Sequence, residues 1–315
     1  MKRSESNRKQ RSLCHPRYWP SWLGVGVMRF MGHLSYPWVL RLGPLLGRFY
    51  ALVMPRRKAI ARINIDLCFP EKSREWRKNL LRRQFDNLGI AFLEVPFAWW
   101  APRSRCEDRP GGFGEIHGME NLQQALARGK GVLLLSAHFN SPELSGRLLG
   151  REVPFVALYR PSNDPVMEKV IFEARGQLLE QIPRDDVRGL LRALKAGKAV
   201  WYAVDQNTSR RESVFVDFFG IPASTNSATA RLAKLTGAAV VPFHAIRRED
   251  GSGYDLYLEP AWEDFPTGDL EADTLRVNRL VEKWVRQTPE QYLWIHRRFR
   301  TRPNRSDLRI YPVRQ

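Results

Sequence analysis

The sequence predicts an α/β fold: a single domain with a mixed, mostly parallel central sheet flanked by helices. Three observations carry that expectation. From about residue 115 onward, short apolar runs alternate with amphipathic stretches of helical length, the rhythm of strands joined by crossover helices. The run over 132–135, Val-Leu-Leu-Leu between small residues, has the length of a buried strand rather than a helix. Ser141-Pro142-Glu143 then reads as a helix start, with Ser141 as N-cap, Pro142 at the first helical position and Glu143 in the first turn. His138 therefore falls on a strand-to-helix turn at the carboxyl end of a strand, where open α/β sheets place their ligands.

Taken in order, residues 1–16 form a basic arm, with Lys2, Arg3, Arg8, Lys9 and Arg11, and are expected to be disordered. Residues 17–58 change character. Trp19, Trp22, Phe30, Trp38, Phe49 and many aliphatics are interrupted by Arg29, Arg41 and Arg48 and closed by Arg56-Arg57-Lys58. A spanning helix needs about 20 largely uncharged residues, and the runs between these arginines are about half that. Helices lying in a membrane interface, aromatic side down and arginines toward the headgroups, fit better; the alternative is a pair of ordinary core helices. The domain proper is expected over 59–302. Within it, Trp76, Leu80, Leu81, Phe85, Leu88 and Phe92 recur at helical spacing and predict a core-facing helix over 71–100. Trp99-Trp100 leads to Pro102 and a loop at Pro110-Gly111-Gly112. Helices are expected over 120–128, 142–150, 164–178, 186–196, 224–235 and 273–287. Strands are expected over 132–135, 153–158, 199–204, 238–245 and 254–258. Val214 to Gly220 is aromatic enough for a strand facing an acyl chain, although a plain core strand is the default. Residues 303–315 read as a basic tail.

Composition narrows the function classes. The chain has 315 residues and a net charge of +18, with 51 Lys and Arg against 33 Asp and Glu. That excess points to a polyanionic partner: nucleic acid, an anionic membrane, a phosphorylated substrate or an acidic protein. Ten Trp and sixteen Phe lean toward the membrane. Cys14, Cys68 and Cys106 are far apart and odd in number, which fits a reducing compartment and offers no metal-ligand spacing. No signal peptide, zinc motif, P-loop or nucleophile elbow is present in the sequence.

The chemistry-bearing residues cluster on the ends of the expected strands. On one continuous helix, His138 and Glu143 would lie on different faces; with a turn between them they can converge. A carboxylate against one imidazole nitrogen fixes the tautomer and raises the basicity of the other. The plainer reading is an exposed histidine and a glutamate that favours the helix dipole. Arg160 follows the strand over 153–158 and suits bidentate capture of phosphate or carboxylate, or is a surface ion-pair residue. Asp205 follows the next strand and either orients a base, binds a sugar hydroxyl or forms a turn. Arg210 and Arg211 add charge in the loop beyond it. His296 has no carboxylate near it in sequence and is not ranked as catalytic.

As an ordered set these motifs resemble the lipid A biosynthesis acyltransferase family, the late lauroyl and myristoyl transferases of Gram-negative bacteria. The matching residues are His138-x4-Glu143 after a Leu-rich strand, Tyr159-Arg160-Pro161-Ser162-Asn163, and Val204-Asp205-Gln206 with Arg210-Arg211. Further along come Val214-Phe215-Val216 with Phe218-Phe219-Gly220, Ala230-Arg231-Leu232-Ala233, and Gln291-Tyr292-Leu293-Trp294 with His296-Arg297-Arg298-Phe299. The likeness covers about residues 20–302. It implies a glycerol-3-phosphate acyltransferase-like fold. It implies His138 and Glu143 as the catalytic pair, and Arg160, Asp205, Asn140, Arg210, Arg211 and Arg231 as substrate-binding or site-ordering residues. It further implies transfer of a lauroyl-like chain from acyl carrier protein to a 3-hydroxyacyl hydroxyl of a Kdo-bearing lipid A precursor. The place implied is the cytoplasmic face of the inner membrane, reached through the N-terminal segment. The partners are then the acyl carrier protein, an anionic glycolipid and the membrane surface, with no nucleic acid; no metal and no cofactor beyond the carrier thioester are expected.

Rival readings are an acyltransferase acting on another glycolipid or using acyl-CoA, a nucleic-acid-binding protein suggested by charge alone, and a lipid hydrolase using Ser136, Ser141 or Ser145. The second lacks a recognition motif; the third lacks a nucleophile elbow.

Overall fold

The computed structural model describes residues 13–106, 112–210, 213–304 and 306–312. Most of the expected basic arm, Pro110 and Gly111 of the expected loop, Arg211, and residues 305 and 313–315 of the tail lie outside the described residues.

After a short 3-10 turn, four helices come first: α1 (Trp19–Met31), α2 (Tyr36–Val53), α3 (Pro55–Cys68) and α4 (Arg74–Trp100), followed by the single turn α5 (Arg103–Cys106). The alternating region then runs β1 (Gly114–His117), α6 (Met119–Ala127), β2 (Val132–Ser136), α7 (Pro142–Glu152), β3 (Phe155–Tyr159) and α8 (Pro165–Gly176). It continues with β4 (Glu180–Pro183), α9 (Val187–Lys195), β5 (Ala199–Ala203), β6 (Ser213–Phe218), β7 (Ile221–Asn226) and α10 (Ala228–Thr236). It closes with β8 (Ala239–Arg247), β9 (Tyr254–Leu258) and α11 (Leu270–Gln287).

Seven strands form one sheet in the order β1-β9-β8-β2-β5-β3-β4. Every neighbouring pair is parallel except β8 with β9. The mixed, mostly parallel sheet with flanking helices is therefore as expected. β2 sits at its centre, and its residues Val132 to Leu135 are fully buried. Leu133 and Leu135 point into one apolar cluster and Val132 and Leu134 into another on the opposite face. A strand covered on both faces must be apolar throughout, which is why this run shows no polar alternation.

Several local expectations are corrected. β1, β4 and β7 are strands that the pattern did not indicate. Gly-Glu-Ile-His and Glu-Gln-Ile-Pro each carry one branched apolar residue, too little to show a period. Residues 224–226 belong to β7, paired antiparallel with β6, rather than to the start of the helix that follows. Along α4 the expected stripe is buried at Leu80, Phe85 and Leu88, while Phe92 is exposed.

The N-terminal helices pack on α4. Tyr36, Val39, Gly43, Gly47 and Ala51 form the buried face of α2. The crossing is glycine-on-glycine: a Cβ on Gly89 would lie 2.0 Å from the Gly43 carbonyl oxygen and 2.3 Å from the Gly47 nitrogen. The opposite face of α2 is apolar too and stays uncovered, with Trp38, Leu42, Leu45, Phe49 and Leu52 exposed, Leu52 by 75%. On α1, Trp19, Leu23 and Phe30 are exposed as well. Among the described residues, no helix is long and apolar enough to cross a membrane.

Because the α2–α4 approach leaves no room for a side chain, Gly89→Ala is expected to destabilise the protein by about 1–3 kcal/mol through overpacking. Urea unfolding followed by circular dichroism measures this directly.

Candidate active site

The site is built by strand register. β2 and β5 run side by side and parallel, with Ser136 opposite Ala203. His138 and Asp205 each lie two residues beyond that last pair, so both leave the sheet at the same height on adjacent strands. His138 Nδ1 lies 2.7 Å from Asp205 Oδ1, and the His138 main-chain N–H donates to the same oxygen at 2.9 Å. The Tyr292 hydroxyl donates to Asp205 Oδ2 at 2.9 Å. An ionised carboxylate only accepts, so Nδ1 carries the proton and Nε2 keeps its lone pair. The Asp205 side chain is 3% exposed and that of His138 31%, so the carboxylate is sealed in while the ring reaches the surface.

Electrostatics follow from that geometry. Burial disfavours the imidazolium, but the charge and hydrogen bond of Asp205 outweigh it, and the His138 pKa is raised above its ordinary 6.5. Burial alone would push Asp205 up; its interactions with His138 and Tyr292 instead hold it well below the usual carboxylate range. His296 is close by, its Nε2 accepting from the Asn207 main chain at 3.2 Å, and burial pushes it down to about 4. It is thus a neutral ring whose Nε2 is already taken up by the Asn207 N–H.

The carboxylate expected on the imidazole, Glu143, is elsewhere, and that pairing is corrected. Glu143 sits in the first turn of α7, where it accepts from both Nε and a terminal nitrogen of Arg175 on α8 and from Trp99 Nε1 on α4, the last at 2.8 Å. It makes no hydrogen bond or ion pair with His138. The turn carries the chain far enough that Glu143 faces the helices, while β5 supplies the carboxylate to the ring. Arg175, missed from sequence because it lies inside a helix, is the cation this glutamate holds.

Ser141 holds the N-cap position of α7 as expected, with Pro142 and Glu143 in the first turn, but its hydroxyl donates to Glu94 and makes no capping bond to the helix. Glu94 is the hub of a buried network. Arg247 Nε and Nη2 donate to its two oxygens at 3.0 Å each, and Tyr36 and Tyr254 donate hydroxyls at 2.7 Å. Despite burial, which opposes ionisation, Arg247 holds the Glu94 pKa below its ordinary value. From Arg247 the connection runs to the site. Its main chain is bonded in both directions to the Gln291 carboxamide, and the Gln291 carbonyl accepts from Asn140 N–H at 2.9 Å. Leu293 N–H donates to the His138 carbonyl at 3.0 Å, and Phe139 bridges Tyr292 in antiparallel fashion. The segment 291–293 thus clamps the turn that carries the histidine.

The other expected residues are placed as follows. Asn140 is buried beside His138, and its carboxamide has no hydrogen-bond partner among the described residues. Arg160 is exposed at the end of β3, on the same rim. Arg210 is turned to the carbonyls of Arg302 and Pro303, tying down the C-terminal segment. Arg231 is exposed on α10. Tyr292, quoted for the resemblance but given no role, proves to be the second partner of Asp205. Away from this site, Glu115, His117 and Asp255 bring three possible metal donors within 4.8 Å, and Arg248 bonds both carboxylates there.

Comparison with known proteins agrees with the resemblance. Residues 6–301 match the family described as bacterial lipid A biosynthesis acyltransferase. The chain is 40% identical over 297 residues to the lipid A biosynthesis palmitoleoyltransferase of Escherichia coli K12, covering 93% of this chain and 95% of that protein. It is 38% identical over 296 residues to the lauroyltransferase of the same organism, with the same coverage. To the myristoyltransferase it is 28% identical over 320 residues, covering 96% of this chain and 95% of that protein.

Two outcomes follow from the geometry. Asp205→Asn removes the charge that raises the His138 pKa, leaving burial to lower it. With His138 as the expected base, which must be neutral to act, the acid limb of the rate profile, above pH 6.5 in the parent, should move below it. The plateau rate should fall by about 10²–10⁴-fold as ring orientation is lost. A pH–rate series on the purified variant checks both. Arg247→Met leaves Glu94 charged, buried and unpaired, and should cost about 3–5 kcal/mol in urea unfolding.

Proposed function

The chain belongs to the bacterial lipid A biosynthesis acyltransferase family and is an acyltransferase of that pathway; from this premise we propose that it moves a lauroyl-like chain from acyl carrier protein to a 3-hydroxyacyl hydroxyl of a Kdo-bearing lipid A precursor. The observation that carries the mechanism is His138 bonded through Nδ1 to Asp205, with Nε2 free of that bond, on the rim where β2 and β5 end.

In this reading a hydroxyl, a poor nucleophile at neutral pH, gives its proton to His138 Nε2 as its oxygen attacks the thioester carbonyl. Asp205 holds the ring and stabilises the imidazolium that forms. The tetrahedral oxyanion is met by main-chain N–H groups in the first turn of α7, which no side chain caps. Collapse breaks the carbon–sulfur bond, and the imidazolium returns the proton to the leaving thiolate. A thiolate leaves readily, so the step calls on no metal or cofactor. Glu143 acts through Arg175, holding its guanidinium near the rim, and Arg160 and Asn140 line the approach of the acceptor.

The surface fits a working place on the cytoplasmic face of the inner membrane. The uncovered apolar face of α1 and α2 is suited to lie in the bilayer interface. The net charge of +18 suits an acidic carrier, an anionic bilayer and a phosphorylated acceptor.

The test is transfer by the purified protein from lauroyl-, myristoyl- and palmitoleoyl-carrier substrates in competition, and separately from lauroyl-coenzyme A, with products read by mass spectrometry. Lauroyl transfer from the carrier should dominate and should vanish in His138→Ala. Equal use of the coenzyme A thioester would remove the carrier from the account, and activity retained in His138→Ala would remove the base.

A further inference from the structure

We propose that the basic groove between α2, α3 and α4 is a binding site for the phosphate headgroups of anionic bilayer lipids, separate from the site of acyl transfer. The groove encloses about 900 Å³. Lys58 and Arg62 from α3, and Arg74, Lys78 and Arg82 from α4, line it and are exposed. None of these five has a carboxylate partner among the described residues. Two further cations of the lining are already paired, Arg48 with Asp86 at 2.8 Å and Arg77 with Asp66 at 3.3 Å. Asp66 is the one acidic residue in the lining, and it is used. Five uncompensated positive charges facing one concavity repel each other, and a cleft focuses their field outward toward an anion. Lysine and arginine are the residues that bind phosphate, as point charge and as planar fork.

Position selects the source of the phosphate. Arg48 and Ala51 of α2 line the groove, and Phe49 and Leu52 of the exposed apolar stripe are their sequence neighbours. The stripe continues through Val53 and Met54, and Pro55 then lines the groove. An apolar face running into a basic concavity reproduces the order of a bilayer surface, acyl chains below and phosphates above. An acidic protein would meet the same charges but leave the adjoining stripe unexplained. The groove also lies on the far side of α3 from the chemistry. The other face of α3 carries Asn64, which donates to the carbonyls of Trp294 and His296 at 2.7 Å, next to the segment that clamps His138. This inference rests on the interfacial reading of α1 and α2 proposed above, and makes the headgroup site the polar half of that attachment.

The experiment is flotation of the full-length protein with vesicles of phosphatidylcholine, alone or mixed with phosphatidylglycerol. Three variants accompany the parent: Lys58→Gln/Arg62→Gln/Lys78→Gln, the conservative Arg62→Lys, and Phe49→Ser/Leu52→Ser. The parent should prefer the anionic vesicles, and salt should erode the preference. The triple variant should lose about fivefold per cation removed, on the order of a hundredfold in all, while Arg62→Lys keeps parental binding. Should the triple variant fail to fold, the exposed single changes Lys58→Gln and Lys78→Gln carry the test at about fivefold each. The proposal is overturned if folded groove variants keep the parental preference. It is overturned equally if they lose only carrier-protein binding, or only raise the Michaelis constant for the acceptor. Release of Phe49→Ser/Leu52→Ser with no effect of the groove changes would sink the headgroup site and leave the interfacial reading standing. A parent that binds neither vesicle would sink both.

Discussion

One constraint governs the site: two adjacent parallel strands, β2 and β5, end in register, and each places a polar residue two positions past its end. Because the strands are neighbours about 4.8 Å apart, a histidine from one and an aspartate from the other meet without any flexible segment between them. The 2.7 Å contact of His138 with Asp205 is thus a property of the sheet, whose inner strand β2 is apolar on both faces. Burying Asp205 would ordinarily neutralise it. It stays charged because the ring, the His138 main chain and Tyr292 all donate to it.

The rest of the molecule keeps that turn in place. The buried Glu94–Arg247 pair joins α4 to β8 in the interior, where leaving either ion unpaired is costly. Gln291 carries the connection from Arg247 to Asn140, and Leu293 carries it to His138. Three layers therefore meet at one turn: the sheet, the long helix α4 and the segment after α11. Catalytic power in such a site comes from groups already oriented before substrate arrives, and the buried network is what orients them.

Much of this was legible in the sequence, and the misses have physical causes. The apolar run of β2 and the proline-marked start of α7 placed His138 on a sheet rim, since both signals are local. The partner of His138 was not local. Glu143 is five residues away and Asp205 is 67, yet the strand order puts β5, not β3, beside β2. No periodicity in the chain encodes that order. β1 and β4 were missed because short edge strands bury too little to show a pattern, as the single buried Ile182 of β4 illustrates, and β7 because the residues it buries, Ala223, Ser224 and Thr225, are small or polar and give no apolar period. Arg175 and Glu94 sat unnoticed within helices, where one charged residue looks like any other until its partner is seen. Tyr292 had a signal, its place in the aromatic run over 291–299, but its hydroxyl carries meaning only once Asp205 is beneath it.

The central claim is that Asp205, not Glu143, fixes the tautomer of His138. Nitrogen-15 NMR of histidine-labelled protein tests it most directly, by reading the two ring nitrogens of His138 across pH. The account predicts a proton on Nδ1, a bare Nε2 at high pH, and titration above 6.5. A resting ring protonated on Nε2, or a His138 that titrates below 6.5, would contradict it.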